Sequence, residues 1–314
     1  MDKLPTHFIS CDWGTTNFRL RVVETATLSV RASLSDGIGI KPLYAEFCRQ
    51  NGLRQTEYFV RYLAEQIEKL PPVYRTGPVV VSGMASSNIG LSELPYASLP
   101  INTDGSTLTA RWLNGGGRRL LLVSGVYGDD SVMRGEEVQA IGLADRMDRD
   151  GLLILPGTHS KHLLFRRGSF TAFSTYMTGE LFGLLAEHSI LAGSVRAGEW
   201  NMGAERAFRD GVHQGLAGEL SRKLFTVRVR DIVDGRDSFD NYQYLSGLLI
   251  GEELQSVGQR EDAVYLGASG PLLARYRSAL EEVVSPAQLV IFEEEVFDRA
   301  VLSAHLKLLA YYAN

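Results

Sequence analysis

The sequence predicts an α/β protein made of two similar lobes. A short apolar run followed by a Gly-Thr turn occurs twice, at Gly14 and again at Gly157. In each half, strand-like alternation precedes longer stretches of helical periodicity, as in layered α/β folds. A chain of 314 residues is also long enough for two domains. We therefore expect an N-terminal lobe over 1–147 and a C-terminal lobe over 148–314.

In the first half, the segment 17–24 places Phe18, Leu20 and Val22 on one face, the period-2 pattern of a half-buried strand. An apolar stripe over 57–70 predicts an amphipathic helix that ends before Pro71. Uninterrupted apolar runs are typical of buried parallel strands. The predicted strands of this half are 8–13, 17–24, 27–34, 79–81 and 120–123.

The second half repeats this order, beginning with the apolar run 152–155 after the charged segment 145–150. The predicted strands are 152–155, 162–166, 169–175, 263–266 and 289–292. The predicted helices are 179–191, 204–224, 241–254, 271–283 and about 296–312. We expect the last of these helices to pack back on the N-terminal lobe.

Composition excludes several classes of protein. The net charge of −5 argues against a nucleic-acid binder, which normally carries a basic face. No apolar run approaches the ~18 residues of a membrane-spanning helix, and the opening residues lack a signal-peptide layout. We expect a cytoplasmic protein with no membrane or nucleic-acid partner. Cys11 and Cys48 are too few for a disulfide framework or a zinc site, so buried free thiols are expected.

The first Gly-Thr turn is the strongest candidate site. Backbone amides at a turn opened by Gly14 can bind phosphate oxygens, and the threonine hydroxyls add donors. Asp12, at the end of the preceding strand, can hold Mg²⁺ through water. The alternative is a plain polar hairpin with a solvated aspartate. The predicted phosphate-binding residues here are Gly14, Thr15, Thr16, Asn17 and Arg19.

The second turn offers a matching set of groups in Gly157, Thr158 and Lys161. Two such turns can hold one nucleotide from both sides. A metal site at His159 and His162 is the weaker interpretation, because no third ligand lies nearby in the sequence.

A third segment, Gly267, Ala268 and Ser269, lies between a predicted strand and a helix that begins near Pro271. Small residues let a flat ring lie against the backbone, so we predict that this loop contacts adenosine. An ordinary strand-to-helix connection would look the same.

Several runs, in order along the whole chain, resemble the 2-dehydro-3-deoxygalactonokinase family, within the actin, hexokinase and heat-shock-chaperone superfamily. The resemblance implies two lobes of the actin-like ATPase (ribonuclease H-like) type, with the active site in the cleft between them and ATP and Mg²⁺ as cofactors. The runs are Asp12-Trp13-Gly14-Thr15-Thr16-Asn17-Phe18-Arg19, Val132-Met133-Arg134-Gly135-Glu136-Glu137, Pro156-Gly157-Thr158-His159-Ser160-Lys161, Met177-Thr178-Gly179-Glu180-Leu181 and Tyr244-Leu245-Ser246-Gly247-Leu248-Leu249-Ile250-Gly251.

The implied reaction moves the γ-phosphoryl group of ATP to the terminal hydroxyl of 2-dehydro-3-deoxy-D-galactonate. Arg134 suits the substrate carboxylate because its guanidinium group can bind it through two hydrogen bonds. Glu136 is the leading candidate for accepting the hydroxyl proton. The further substrate-binding candidates are Glu137, Thr178 and Glu180. Leu91-Ser92-Glu93 follows Gly90 where the family pattern has a tryptophan nearby.

Other functions stay open at this point. A kinase for a related keto-deoxy sugar acid, such as the gluconate epimer, would differ by the orientation of one hydroxyl. A phosphate-releasing hydrolase of the same fold would need no sugar-acid site. An ATP-dependent regulator or chaperone-like switch would normally add a further binding module. The sequence leaves the oligomeric state undetermined, with a homodimer among the options.

Overall fold

The computed structural model describes residues 4–35, 37–50, 52–198 and 200–313. The chain forms two compact units. The first comprises 1–148, 166–172 and 295–314, and the second comprises 149–165 and 173–294.

The strands are β1 (His7–Trp13), β2 (Phe18–Glu24), β3 (Val30–Leu34), β4 (Val79–Gly83), β5 (Ala97–Ser98), β6 (Ile101–Asn102), β7 (Ala110–Gly115), β8 (Arg118–Val123), β9 (Val126–Tyr127), β10 (Val132–Met133), β11 (Gly151–Leu155), β12 (Ser160–Arg166), β13 (Ser169–Tyr176), β14 (Ala263–Leu266) and β15 (Leu289–Ile291). The helices are α1 (Ile40–Phe47), α2 (Gln55–Ile67), α3 (Glu136–Leu143), α4 (Thr178–His188), α5 (Met202–Leu216), α6 (Leu220–Leu224), α7 (Thr226–Ile232), α8 (Ser238–Glu253), α9 (Gly270–Glu281) and α10 (Glu294–Tyr312).

The sheet of the first unit has the order β3-β2-β1-β4-β8-β7. β2 is antiparallel to β1, whereas β4 and β8 continue the sheet in parallel. Alternation along β1 directs Ile9, Cys11 and Trp13 into an apolar core shared with α1 and α2. Ser10 and Asp12 therefore lie on the opposite face of the sheet.

The second sheet has the order β15-β14-β11-β12-β13-β6. From the first strand of each unit, both sheets follow the same order, in which an antiparallel hairpin is extended by two parallel strands. The main strands predicted from apolar runs are present, and the predicted duplication is confirmed. The prediction missed β7, whose residues are mostly half-buried and carry no clear alternation.

One predicted helix is wrong in its extent. The sequence predicts a single helix over 204–224, but α5 ends at Leu216 and α6 begins at Leu220. Gly218 and Glu219 both take positive φ values, +82° and +64°, which a right-handed helix cannot accommodate. Apolar periodicity continues through this break, so the pattern alone could not locate it.

Helices α5 and α8 pack backbone against backbone through glycine. A Cβ atom on Gly211 or Gly215 of α5 would meet carbonyl oxygens of α8, and one on Gly247 or Gly251 of α8 would meet carbonyl oxygens of α5. Any side chain larger than hydrogen at these positions would force the two helices apart.

Helix α10 belongs to the first unit. Its Lys307 ammonium group donates to the carbonyl oxygens of Thr103 and Ile141 and forms an ion pair with Asp145 at 2.8 Å. The expectation of buried thiols is correct for Cys11 and wrong for Cys48, which is exposed on the surface. In the described part of the chain, no helix combines the length and apolar character needed to cross a membrane.

Candidate active site

The first turn is closed by a hydrogen bond from the Gly14 amide to the Asn17 carbonyl, at 2.9 Å. Thr15, Thr16 and Asn17 are exposed, so their donors face outward. The start of α1 supports the turn from below, since a Cβ atom on Gly39 would lie 2.6 Å from the Thr16 Cα. The turn is therefore packed closely against the start of α1, and its polar side chains remain exposed to solvent.

Asp12 is the second-last residue of β1, beside this turn, and lies in a charged environment. Burial raises the pKa of the Asp12 carboxyl group above its ordinary value, while the guanidinium groups of Arg19 and Arg21 act in the opposite direction. The Glu136 carboxylate adds to the rise. Both arginines form ion pairs with Asp298. The arrangement brings the two predicted catalytic carboxylates, Asp12 and Glu136, into electrostatic contact.

Two glycines with positive φ values lie side by side near the end of β4. Gly83, at the end of β4, has φ +81°, and a Cβ atom there would lie 2.7 Å from the Trp13 carbonyl oxygen. Gly135 has φ +120° and lies beside Gly83, immediately before α3. Glu136 thus begins α3, and its carboxylate accepts a hydrogen bond from the Arg134 amide at 3.1 Å.

Arg134 is held on two sides. Its Nη1 donates to the carbonyl oxygen and to Oγ of Ser86, both at 2.6 Å. The guanidinium carbon lies 4.2 Å from the centre of the Tyr96 ring, the geometry of a cation–π contact. Its Nε is buried and has no hydrogen-bond partner among the described residues.

Glu137 points away from solvent. It is fully buried, and both carboxyl oxygens lie within hydrogen-bond distance of the Gly135 amide, at 2.9 and 2.7 Å. Burial, with the Glu136 carboxylate, raises the pKa of Glu137 to about 8. Its carboxyl group therefore shapes the turn before α3.

The second turn packs against the start of a helix, as the first turn does. A Cβ atom on Gly179 of α4 would lie 2.8 Å from the Thr158 Cα, and the Glu180 amide donates to the Thr158 carbonyl oxygen at 3.0 Å. Thr158 itself is exposed. Lys161 is 3% exposed, and its ammonium group donates to the His159 carbonyl oxygen at 2.9 Å.

The remaining polar residues of this turn have protein partners. The Glu180 carboxylate pairs with His159, and the Thr178 hydroxyl donates to Glu253. His162, the other histidine considered as a metal ligand, lies 2.9 Å from Glu253 in the interior. Among the described residues, no group of three or more His, Cys, Asp or Glu side chains is arranged to hold a metal ion.

The predicted adenosine loop connects β14 to α9. Gly267 and Ala268 are buried, with the Gly267 amide bonded to the Ile154 carbonyl oxygen, and exposed Ser269 precedes α9. A cavity of about 210 Å³ lies one turn further along the helix. Its lining comprises Gly157, Thr178, Gly179, Phe182, Tyr242, Ser246, Leu249, Ile250, Leu272, Arg275 and Tyr276.

The segment after Gly90 has a structural role in this chain. Leu91, which stands where the family pattern has a tryptophan nearby, is fully buried in the apolar core of the first unit. The Ser92 hydroxyl accepts a hydrogen bond from Arg111 at 2.6 Å.

Sequence reasoning missed the residues that hold these groups in place. Ser86 and Tyr96 support Arg134, and Glu253 and Tyr276 lie behind the second turn. None lies in a run with a chemical signature of its own. The one available signal is that Glu253 comes two residues after the family-like run that ends at Gly251.

His305 of α10 lies beneath the strand that carries Asp12. It is fully buried, with Nδ1 2.9 Å from Ser10 Oγ and Nε2 3.0 Å from Ser82 Oγ. Ser82 is the β4 partner of Asp12 in the sheet register. Burial, with the nearby Arg21 charge, lowers the pKa of His305 to about 3.

This histidine predicts a pH dependence of stability. Below the ordinary histidine pKa of 6.5, the unfolded chain binds a proton on His305 that the folded chain does not bind. The free energy of unfolding should therefore fall as the pH falls from 6.5 toward 3, by up to ~1.4 kcal/mol per pH unit from this group. Urea unfolding between about pH 7 and pH 5 measures the slope.

His305→Gln is expected to flatten that slope, because other titrating groups contribute equally to both proteins. His188→Gln, at a largely exposed histidine, should leave it unchanged. Equal slopes for the wild type and His305→Gln would contradict the prediction.

Comparison with known proteins gives one consistent family. A model of the 2-keto-3-deoxy-galactonokinase family matches residues 12–303. The 2-dehydro-3-deoxygalactonokinase of Escherichia coli is 30% identical over 288 residues, which span 88% of this chain and 90% of that protein. A Rhizobium meliloti protein named as a probable enzyme of the same kind is 30% identical over 313 residues, with 95% and 96% coverage.

A solved structure shows the same fold. It is that of a Sinorhizobium meliloti protein described as a candidate 2-dehydro-3-deoxygalactonokinase, with a TM-score of 0.79, 29% identity and 96% coverage of both chains. The predicted α/β fold, with two sheets of the same strand order, is confirmed. With a family model matching nearly its whole length and two relatives at 30% identity, the chain belongs to the 2-keto-3-deoxy-galactonokinase family of carbohydrate kinases.

Proposed function

We propose that this protein transfers the γ-phosphoryl group of ATP to the terminal hydroxyl of 2-dehydro-3-deoxy-D-galactonate, giving the 6-phosphate. Family membership and the names of the relatives support the reaction class and the sugar acid. Among individual residues, the observation that supports the proposal is the buried Nε of Arg134, which has no hydrogen-bond partner among the described residues.

Arg134 has one buried donor that no described residue uses. A buried N–H group without a partner costs ~1–3 kcal/mol, so proteins seldom leave one. Ser86 occupies Nη1 and Tyr96 covers one face, while the buried Nε lacks a partner among the described residues. A substrate carboxylate bound along the Nε edge would supply the missing acceptor and form the paired hydrogen bonds that arginine favours.

We propose that Glu136 accepts the proton of the substrate hydroxyl. It begins α3 two residues after Arg134, so one short segment carries both the proposed carboxylate-binding group and the proposed base. The Arg134 amide orients its carboxylate through one oxygen. Proton transfer by such a positioned group typically contributes ~10²–10⁴-fold to the rate.

Within the second unit, the nucleotide would use the second turn and the cavity. The exposed Thr158 of that turn offers a donor to phosphate oxygens; in the first unit, the exposed Thr15, Thr16 and Asn17 offer donors of the same kind. The cavity of about 210 Å³ borders Gly157 and combines apolar walls with the Ser246 hydroxyl, which suits a nucleobase. Gly267, Ala268 and Ser269 lie at the start of the helix that forms one wall.

The carboxylates also fit a magnesium ion. The Glu136 carboxylate raises the pKa of Asp12, and a divalent cation would relieve that repulsion. We propose that Asp12 holds Mg²⁺ through water, since Mg²⁺ takes few carboxylates and keeps several waters. When bound, the ion would neutralise charge on the phosphate oxygens.

The test is the replacement of Arg134 by alanine. Loss of a charge-assisted pair of hydrogen bonds should raise KM for the sugar acid about a hundredfold and change KM for ATP less than about twofold. The variant should also stop discriminating between the sugar acid and an analogue that lacks the carboxylate.

Arg119→Ala is the matched control. Arg119 also stacks on an aromatic ring, with its guanidinium carbon 4.1 Å from the centre of Trp112, in the same unit. It should leave both KM values unchanged. If Arg134→Ala raised KM for the sugar acid and KM for ATP equally, the assignment of Arg134 to the sugar acid would be wrong.

A further inference from the structure

Five buried polar side chains form one hydrogen-bond network behind the second turn. Glu253, near the end of α8, is its centre. One carboxylate oxygen lies 2.9 Å from His162 Nε2, and the other accepts from the Tyr276 hydroxyl at 2.7 Å and from the Thr178 hydroxyl. The Tyr276 oxygen in turn lies 2.9 Å from Ser160 Oγ. Each of the five is at most 8% exposed.

The direction of each hydrogen bond follows from the chemistry of the groups. A carboxylate only accepts, so Tyr276, Thr178 and His162 all donate to Glu253. Because Tyr276 has given its one hydrogen, Ser160 must donate to it. Ser160 is then left as an acceptor, and the Gly157 amide points to it at 3.4 Å. The chain of donors therefore runs from the second turn into the interior and ends on Glu253.

The network reaches the proposed nucleotide site through two of its members and one neighbouring residue. Gly157, Thr178 and Tyr276 all line the cavity of about 210 Å³. Gly157 also begins the turn that we assign to the phosphate groups. Buried networks with every member paired fix one arrangement of side chains, because any other leaves a desolvated group unpaired.

We propose that Glu253 and Tyr276 are positioning residues for the nucleotide: they fix the second turn and one wall of the cavity in the binding geometry. Neither touches the reacting atoms. The inference rests on the proposed function only in taking ATP as the phosphoryl donor. It goes further by giving a role to the end of α8, to which no chemistry is otherwise assigned.

The test compares two tyrosine-to-phenylalanine variants in the same unit. Tyr276→Phe removes the hydroxyl that links Ser160 to Glu253. Tyr265→Phe removes the hydroxyl of a fully buried tyrosine. That hydroxyl accepts a hydrogen bond from the Arg149 amide at 3.2 Å and donates one to the Arg149 carbonyl oxygen at 3.0 Å. The two changes are chemically identical, and only the first lies behind the second turn.

We expect Tyr276→Phe to raise the Kd for ADP about tenfold or more, and Tyr265→Phe to change it less than about twofold. Titration calorimetry with ADP alone measures both, and Tm is recorded for each variant. A merely structural role would lower Tm in both proteins and leave the two Kd values alike. That outcome would overturn the inference.

A second pair of variants, at Thr178, tests the same network even if the tyrosine variants are unstable. Thr178→Ser retains a hydroxyl donor to Glu253, whereas Thr178→Val keeps the shape and loses the donor. ADP affinity should survive in the first and fall in the second. Equal affinities in the two would contradict the network's role.

The readouts also separate this inference from the proposed function. ADP binding needs no sugar acid, so a wrong sugar-acid assignment leaves the test intact. A wild-type protein that does not bind ADP would overturn the proposed function and this inference together. A wild-type protein that binds ADP, with Tyr276→Phe binding it equally well, would overturn the inference alone.

Discussion

Replacing Asp12 by asparagine is expected to abolish most turnover while leaving the fold intact or slightly more stable. The pKa of Asp12 is raised by burial, so its negative charge costs free energy in the folded chain. Asparagine keeps the shape and removes the charge, which should hold or raise Tm. The same change removes the carboxylate proposed for Mg²⁺, and kcat should fall roughly a thousandfold, ~4 kcal/mol of transition-state stabilisation.

The opposite signs of the two effects make the experiment decisive. Steady-state kinetics at saturating ATP and sugar acid give kcat, and thermal unfolding gives Tm. Asp145→Asn is the control, since Asp145 is an exposed carboxylate paired with Lys307 in the same unit. It should leave kcat unchanged. A rate for Asp12→Asn within about tenfold of the wild type would contradict the assignment of Asp12.

Gly247→Ala is expected to cause a large loss of stability through the addition of a single methyl group. The new Cβ atom on α8 would overlap the Phe208 carbonyl oxygen of α5. Backbone cannot move aside as the end of a side chain can, so the helices must separate along their contact. We expect a cost of ~3 kcal/mol or more, seen as a lower midpoint in urea unfolding.

Gly183→Ala is the matched control in the same unit. Gly183 lies within α4, and a Cβ atom there would meet no other atom within 4 Å. Alanine lowers the entropy of the unfolded chain and favours helix, so this variant should gain ~0.5–1 kcal/mol. Destabilisation of similar size in both variants would contradict the assignment of the loss at Gly247 to the close contact between α5 and α8.

Most of the longer strands were predictable because each one is a local pattern, which β7 lacks. Phe18, Leu20 and Val22 alternate on β2, and the run 152–155 is uniformly apolar and uniformly buried in β11. The two turns were equally visible, since glycine followed by threonine after an apolar run is a short-range signal. The end of α5 could not be predicted, because the positive φ at Glu219 does not change the spacing of the apolar residues.

The supports of the candidate site could not be predicted, because their partners are distant in sequence. Arg134 is held by Ser86, 48 residues away, and Glu253 binds His162 across 91 residues. Thr178 lies in a family-like run and was predicted to bind substrate, but its hydroxyl donates to Glu253. Residue type and spacing identify which groups carry chemistry, and only the fold shows which of them are already engaged.

The glycine contact between α5 and α8 has a consequence for how the second unit opens. Because carbonyl oxygens of one helix lie against glycines of the other, neither helix can fray without exposing the backbone of its partner. The pair should therefore behave as one cooperative unit, with amide protons that exchange only on global unfolding. Glu253, the last residue of α8, lies at the end of the helix pair that we expect to exchange most slowly.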